Sequence, residues 1–201
     1  VMNIQNKNQI QYILVGSVPA SNFKFLLHRL KGLCDNAVLS ETMYEDHEAI
    51  YIIKNQTSGA VTVSLSVKRS LLNPEKAHRI QYLGNVEGMN LNRAATMRSI
   101  IEVETSDNIS TYLEQLGFQF DYETLLRGYS FYKGPMRINV SRLHKIPERG
   151  NLSNIMPMTD SYLVELTLHT LVQQDSLCEE MKAFAEHLKP IVVLDKIEQK
   201  R

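Results

Sequence analysis

The 201-residue chain holds only two cysteines, Cys34 and Cys178, which lie far apart and outside any Cys-x-x-Cys or His-rich spacing. That scarcity argues against a disulfide framework or a zinc site and fits a reducing compartment. Excess charge is missing too: 22 Lys and Arg balance 22 Asp and Glu, so no net field draws the chain to nucleic acid or anionic lipid. No apolar run approaches the ~20 residues that a membrane helix needs, and no N-terminal apolar stretch marks a secretory signal. The expectation is a soluble, intracellular protein with no direct nucleic-acid contact and no membrane partner. The Asn-x-Ser/Thr sequons at Asn55, Asn108, Asn139 and Asn151 are then chance occurrences. Internal repeats and low-complexity linkers are absent as well, and 43% hydrophobic content over this length suits one sizeable core, so residues 1–201 are expected to form a single β-barrel domain.

What the chain does contain is periodicity. Phe23, Leu26, Leu27, Leu30 and Leu33 fall on one face of a helix expected from about Asn22 to Cys34, with Ser21 as its cap. Ile109, Tyr112, Leu113 and Leu116 mark a second helix, capped by Ser106 and stopped at Gly117, where a left-handed residue is wanted. Leu177, Met181, Phe184 and Leu188 mark a third, with Ser176 and Glu179 at capping-box spacing and Pro190 beyond its end.

Period-two alternation dominates the rest. Strands are expected at Ile10–Val18, His47–Asn55, Val61–Arg69, Ala77–Leu83, Met97–Glu104 and Ser161–Leu171, with a last short strand at Ile191–Ile197. Turns are expected at Gln56–Ala60 and Asn73–Lys76. Phe118, Phe120 and Tyr122 open another strand, and the alternation from Gly128 to Val140 reverses at Lys133-Gly134-Pro135, so the second helix feeds a hairpin. The polar, Gly- and Pro-containing run Glu148–Thr159 reads as a loop inside the domain. The fold class is mainly β with α+β character: a single antiparallel β-barrel of about eight strands with about three flanking α-helices, since closure removes exposed edges.

On this alternation Arg79, Gln81, Arg98, Glu102, Glu104, Arg137, Asn139, Ser141, Glu165, Thr167 and His169 lie on the polar faces of their strands. Periodicity alone does not decide whether those faces line a lumen or meet solvent. Tyr129, Phe131 and Tyr132 put rings on both faces of one strand, so at least one ring needs cover beyond the first apolar face.

A helix ending in Leu-Gly-Phe, a strand pair and the later strand SYLVELTL resemble the second half of the adenylate cyclase and thiamine triphosphatase superfamily, the triphosphate-tunnel barrels. A more extensive resemblance is carried by GSV at Gly16–Val18, HRLKGLCDN at His28–Asn36, DHE at Asp46–Glu48, QYLG at Gln81–Gly84, TSDNI at Thr105–Ile109, SYLVEL at Ser161–Leu166 and FAEHLKPIVVLDKI at Phe184–Ile197. Together these motifs resemble the subunit 18 family of the metazoan Mediator complex of RNA polymerase II transcription. That resemblance implies a nuclear, non-enzymatic relative of the tunnel barrels. It also implies a coactivator subunit of the Mediator head module that pairs with Mediator subunit 20, binds the C-terminal segment of subunit 8 and meets RNA polymerase II indirectly.

The resemblance to tunnel enzymes sets a chemical test, because those enzymes hold a divalent metal through Glu-x-Glu-x-Lys on the first strand and through carboxylates on later strands. Triphosphate hydrolysis needs clustered oxygen ligands for a hard cation, with Arg or Lys to balance phosphate. Here the first strand reads IQYILVGSV and supplies neither acid nor lysine; RINVSRL carries Asn139 and Ser141 where acids are common, and SYLVELT keeps Glu165 but has Thr167 two residues on. Glu102 and Glu104, beside Arg98 and Lys68, read as a solvated strand face, and EDHE at Glu45–Glu48 as a strand entry. Cys34, His28 and His187 have no visible triad partners. No catalytic, metal or cofactor residue is therefore assigned. The alternative reading is a divergent metal-dependent triphosphatase using Glu102, Glu104 and Glu165. Partner contact is assigned to Phe23 and Leu27, as the floor of a groove beside the first helix, and to Tyr129, Phe131 and Tyr132.

Overall fold

A computed structural model of the chain describes residues 9–35, 38, 42–55, 57–86 and 93–197. In chain order the elements are β1 (Gln9–Pro19), α1 (Phe23–Leu33), β2 (Met43–Lys54), β3 (Val61–Ser70), β4 (His78–Val86), β5 (Thr96–Thr105), α2 (Ile109–Gln115), β6 (Gln119–Lys133), β7 (Met136–Lys145), β8 (Met156–Pro157), β9 (Ser161–Thr170) and α3 (Asp175–Glu186). Neighbouring strands run antiparallel in the order β6-β2-β3-β4-β5-β1-β9-β7, and β6 pairs β7 to close the ring. Eight long strands thus make a closed barrel, and the short β8 is added beside β7. Two residues long and half proline, β8 presents little template for strand addition.

The alternating parities of the strands separate two environments. Tyr12 and Leu14 of β1, Leu166 and Leu168 of β9, Ile138 and Val140 of β7, and Phe131 of β6 face outward and are buried under Leu26 and Leu30 of α1 and Met181 and Phe184 of α3. A second, smaller core joins Ala49, Tyr51 and Val67 to Leu113 of α2. The helices therefore coat the outside of the barrel, and the polar parities line its interior. Phe23 of α1 stacks on Tyr162 of β9 with ring centroids 3.9 Å apart and lies 6.0 Å from Tyr129 of β6. That aromatic group fixes where α1 crosses the sheet.

The expected elements are present with shifted ends. Ser21 does not cap α1: residues 20–22 form a 3-10 turn and Asn22 takes the N-cap position without a side-chain bond. Ser106 does not cap α2 either, because Asn108 is the N-cap; the Ser106 hydroxyl donates to the Asn108 side chain at 2.6 Å. The Ser176–Glu179 capping box does not form, since α3 starts two residues earlier, with Gln174 as N-cap. In each case the preceding strand or turn fixes the entry angle of the chain, and a local side-chain motif does not override it. Gly117 does close α2, at φ 93°. The turn expected at Gln56–Ala60 begins at a position outside the described residues.

The last expected strand, Ile191–Ile197, is not a strand. It is an extended segment tied to the barrel by one bridge, in which Val15 and Asp195 exchange both backbone bonds at 2.8 Å. Gly16 permits this approach, because a Cβ there would stand 2.3 Å from the Val193 carbonyl oxygen. On α2, Leu113 is buried as the pattern predicts, but Tyr112 and Leu116 are exposed, because a seven-residue helix covers only a narrow strip of sheet.

Candidate functional site

The polar side chains of the strands converge in the lumen as an internally paired network. On β5, Arg98 Nε donates to Gln11 Oε1 of β1 at 2.7 Å, and Gln11 Nε2 donates to His169 Nε2 of β9 at 3.0 Å. Across β3, β4 and β5, Lys68 Nζ donates to Gln81 Oε1 at 2.9 Å and Gln81 Nε2 to Glu102 Oε2 at 2.8 Å. Arg79 lies 3.2 Å from Glu102 and 3.7 Å from Asp46, while Glu48 receives Lys68 at 3.4 Å and the Ser66 hydroxyl. Arg137 Nε of β7 donates to Ser130 Oγ at 2.9 Å and to Asn139 Oδ1 at 3.1 Å.

Burial sets the electrostatics of this interior. It pushes the Glu165 carboxyl above the usual carboxylate range, an effect that Glu48 reinforces and Lys68, Arg98 and Arg137 oppose. Burial likewise raises Asp46 against the pull of Arg79 and Arg137, and it lowers Arg98. The Tyr44 phenol is raised by the same cause. At one mouth of the barrel a cavity of ≈ 570 Å³ opens among Tyr44, Asp46, Lys76, Arg79, Tyr132 and Arg137. Its lining mixes the acids Asp46 and Glu104 with the cations Lys76, Arg79 and Arg137.

The first strand supplies no carboxylate to the lumen. The lumen-facing positions of β1 are Gln11, Ile13 and Val15, opposite Arg98 and Thr96 of β5 on one side and Glu165 to His169 of β9 on the other. Among the described residues, no three His, Cys, Asp or Glu side chains stand together as metal ligands. Glu102 and Glu104 are both exposed, as expected of a solvated strand face; the Glu102 carboxylate accepts from Gln81 and Arg79, and Glu104 lines the mouth cavity. The EDHE run is not merely an entry, because all four residues lie within β2 and alternate between lumen and exterior. The Cys34 thiol, pushed up to about 11 by burial and by Asp35, is a protonated packing group at neutral pH.

Of the residues expected to meet partners, Phe23, Leu27, Tyr129 and Phe131 lie in or against the main core that α1 covers, and Tyr132 lies apart from them. Phe131 and Leu27 are buried in the main core, at 0% and 8% exposure, so they support the surface and do not present it. Phe23 and Tyr129 are partly buried against that core. Tyr132, on the opposite face of β6, is 45% exposed at the barrel mouth with Arg137 6.0 Å from its ring.

One buried site escaped the sequence pattern. On the outer face, His47 Nε2 of β2 lies 2.8 Å from Glu123 Oε2 of β6, and the other Glu123 oxygen accepts the Gly150 backbone N–H. Arg149 places its guanidinium 4.3 Å from the Phe120 ring centroid and pairs with Glu114 of α2. Residues 149–150 thereby strap the loop after β7 onto the barrel wall. Glu123 and His47 are distant in sequence, and only the β2–β6 pairing brings them together.

Comparison with known proteins gives this geometry a family. The Med18 protein family matches residues 39–201. Mediator of RNA polymerase II transcription subunit 18 of Danio rerio is 39% identical over 194 residues, covering 96% of this chain and 91% of that protein. Among solved structures, a chain of the Schizosaccharomyces pombe Mediator head module superposes with a TM-score of 0.73 at 13% identity, covering 94% of this chain and 98% of that one. A putative adenylate cyclase from Vibrio parahaemolyticus superposes with a TM-score of 0.58 at 13% identity, covering 98% and 96%. Both likenesses establish a shared barrel fold. By the family match and the near-full-length identity, the chain belongs to the Med18 protein family, the family of Mediator subunit 18.

Proposed function

We propose that the chain acts, as one barrel domain, as a non-catalytic interaction subunit of the Mediator head module in the nucleus. In this reading it pairs with Mediator subunit 20 and holds the C-terminal segment of subunit 8, and RNA polymerase II is met through the assembled complex. The observation that carries the reading is family membership, together with a first strand that holds no carboxylate and the pairing of Glu48, Asp46 and Glu102 with Lys68 and Arg79. A barrel that keeps the tunnel architecture but leaves its first strand without a carboxylate is a scaffold in which binding, not phosphoryl chemistry, is the remaining use.

The partner surface is placed around α1 and the barrel mouth, where Tyr132 supplies exposed aromatic area and Phe23, Tyr129, Leu27 and Phe131 hold the wall behind it. Affinity purification of the tagged chain from nuclear extract tests the function. Recovery of Mediator subunits in stoichiometric amount supports it. Recovery of the chain without them, from cells in which the complex is intact, counts against it.

A further inference from the structure

The solvent face of α1 carries basic residues and no acid. The helix reads FKFLLHRLKGL and contains no acidic residue. At one hundred degrees per residue, Lys24, His28 and Lys31 form one row (i, i+4, i+7), and Phe25, Arg29 and Gly32 form the adjacent row. All six are exposed, Phe25 at 67%. Arg29 is bound to the carbonyls of His187 and Lys189, at 3.2 and 2.8 Å. Among the described residues, no ion pair involves Lys24, His28 or Lys31.

Nearby carboxylates are already engaged. Asp35 pairs with Lys133 at 2.9 Å, Glu186 with Lys189 at 2.8 Å and Asp160 with Arg142 at 3.0 Å. The cationic row is therefore a local excess on a chain whose formal net charge is zero. Next to it, Gly32 faces open space, since a Cβ at that position meets nothing within 4 Å, and Phe25 is the exposed apolar group of the adjacent row. The row spans roughly 10 Å, about two helical turns.

We infer that the solvent face of α1 is a docking surface for an acidic protein segment that carries an apolar anchor. The anchor seats on Phe25, and carboxylates one turn apart meet Lys24, His28 and Lys31. Charge complementarity selects the occupant: an apolar segment alone leaves the cations unanswered, and a nucleic acid leaves the exposed phenylalanine without use. The inference rests on the reading of the chain as an interaction subunit and adds the chemistry of one partner to it.

The test is fluorescence anisotropy of the full chain with a labelled synthetic peptide of Asp and Glu residues flanking Leu and Phe anchors. An Asn and Gln version of the same peptide serves as control. Wild type is expected to bind the acidic peptide more tightly than the control, more weakly as salt rises, and at least about tenfold more tightly than the Lys24→Glu, Lys31→Glu double variant. Phe25→Ser, at an exposed position, is expected to weaken binding while leaving the circular dichroism spectrum unchanged. Equal affinity for the two peptides overturns the inference. So does an affinity that both variants leave untouched, or tighter binding of random duplex DNA through the same lysines. If the chain still co-elutes with Mediator subunits when the peptide does not bind, the docking surface alone is wrong; if it co-elutes with none, the functional reading fails first.

Discussion

Arg98 Nε donates to Gln11 Oε1 at 2.7 Å, from β5 to its neighbour β1, and so satisfies the guanidinium with a neutral amide at the lumen face of the first strand. A metal-assisted hydrolase needs acid there, and the pairing of Arg98 with an amide leaves no ligand to offer. With Mg or Mn ions and tripolyphosphate, the purified chain is expected to release no phosphate above the protein-free rate. Metal-dependent release abolished by Glu102→Gln would overturn this.

Leu30 is fully buried where α1 meets the outer sheet face, beside Leu26 and the ring of Phe131 in the main core. Leu30→Ala is expected to cost about 2 to 5 kcal/mol, the usual range for truncating a buried leucine. Chemical denaturation reads it directly, and an unchanged midpoint would place the stripe outside the core.

Burial raises Glu165 in the folded barrel, so folding favours its protonated form. The sign follows: stability is fully present below the unfolded carboxyl value, about pH 4, and is lost as pH rises through the folded value. Glu165→Gln, which mimics the protonated state, is therefore expected to melt higher than wild type at neutral pH, with the two curves converging in acid. A lower melting point for the variant at neutral pH would mean that Lys68, Arg98 and Arg137 outweigh burial.

His47 behaves in the opposite sense. Burial lowers its folded value despite the Glu123 bond, with Arg69 and His78 adding repulsion. The unfolded chain then takes up the proton first, so stability falls as pH drops below about 6.5 and levels off beneath the folded value. Thermal melts from neutral pH downward should show this slope in wild type and a flatter one in His47→Gln. The protection of the Gly150 amide, which is held by Glu123, should fall over the same range once exchange is corrected for the intrinsic slowing with acid.

Much of the barrel is legible in the sequence because its strands are long and one parity of each is apolar. Val61, Val63, Leu65 and Val67 show it plainly, and Val67 does lie in the smaller core under α2. The direction of the polar parity is not legible. Glu102, Arg98 and Glu165 face inward only because the helices pack outside, and period-two alternation is the same for a lumen as for a solvated face. Helix ends were also beyond local reading, since Ser21, Ser106 and Ser176 satisfy a motif that the chain's path does not use. The His47–Glu123 pair and the Gly150 strap depend on register between strands distant in sequence, which carries no local signature.

The central claim is that this barrel is a binding subunit, and co-expression with Mediator subunit 20 and the C-terminal segment of subunit 8 tests it most directly. Tyr132→Ser is the informative variant, because Tyr132 is exposed whereas Phe131→Ser would open the core. Size-exclusion chromatography is expected to show the three chains in one peak, with Tyr132→Ser folded but weakened in its hold on a partner. Elution of wild type alone, in the presence of both well-folded partners, would contradict the account.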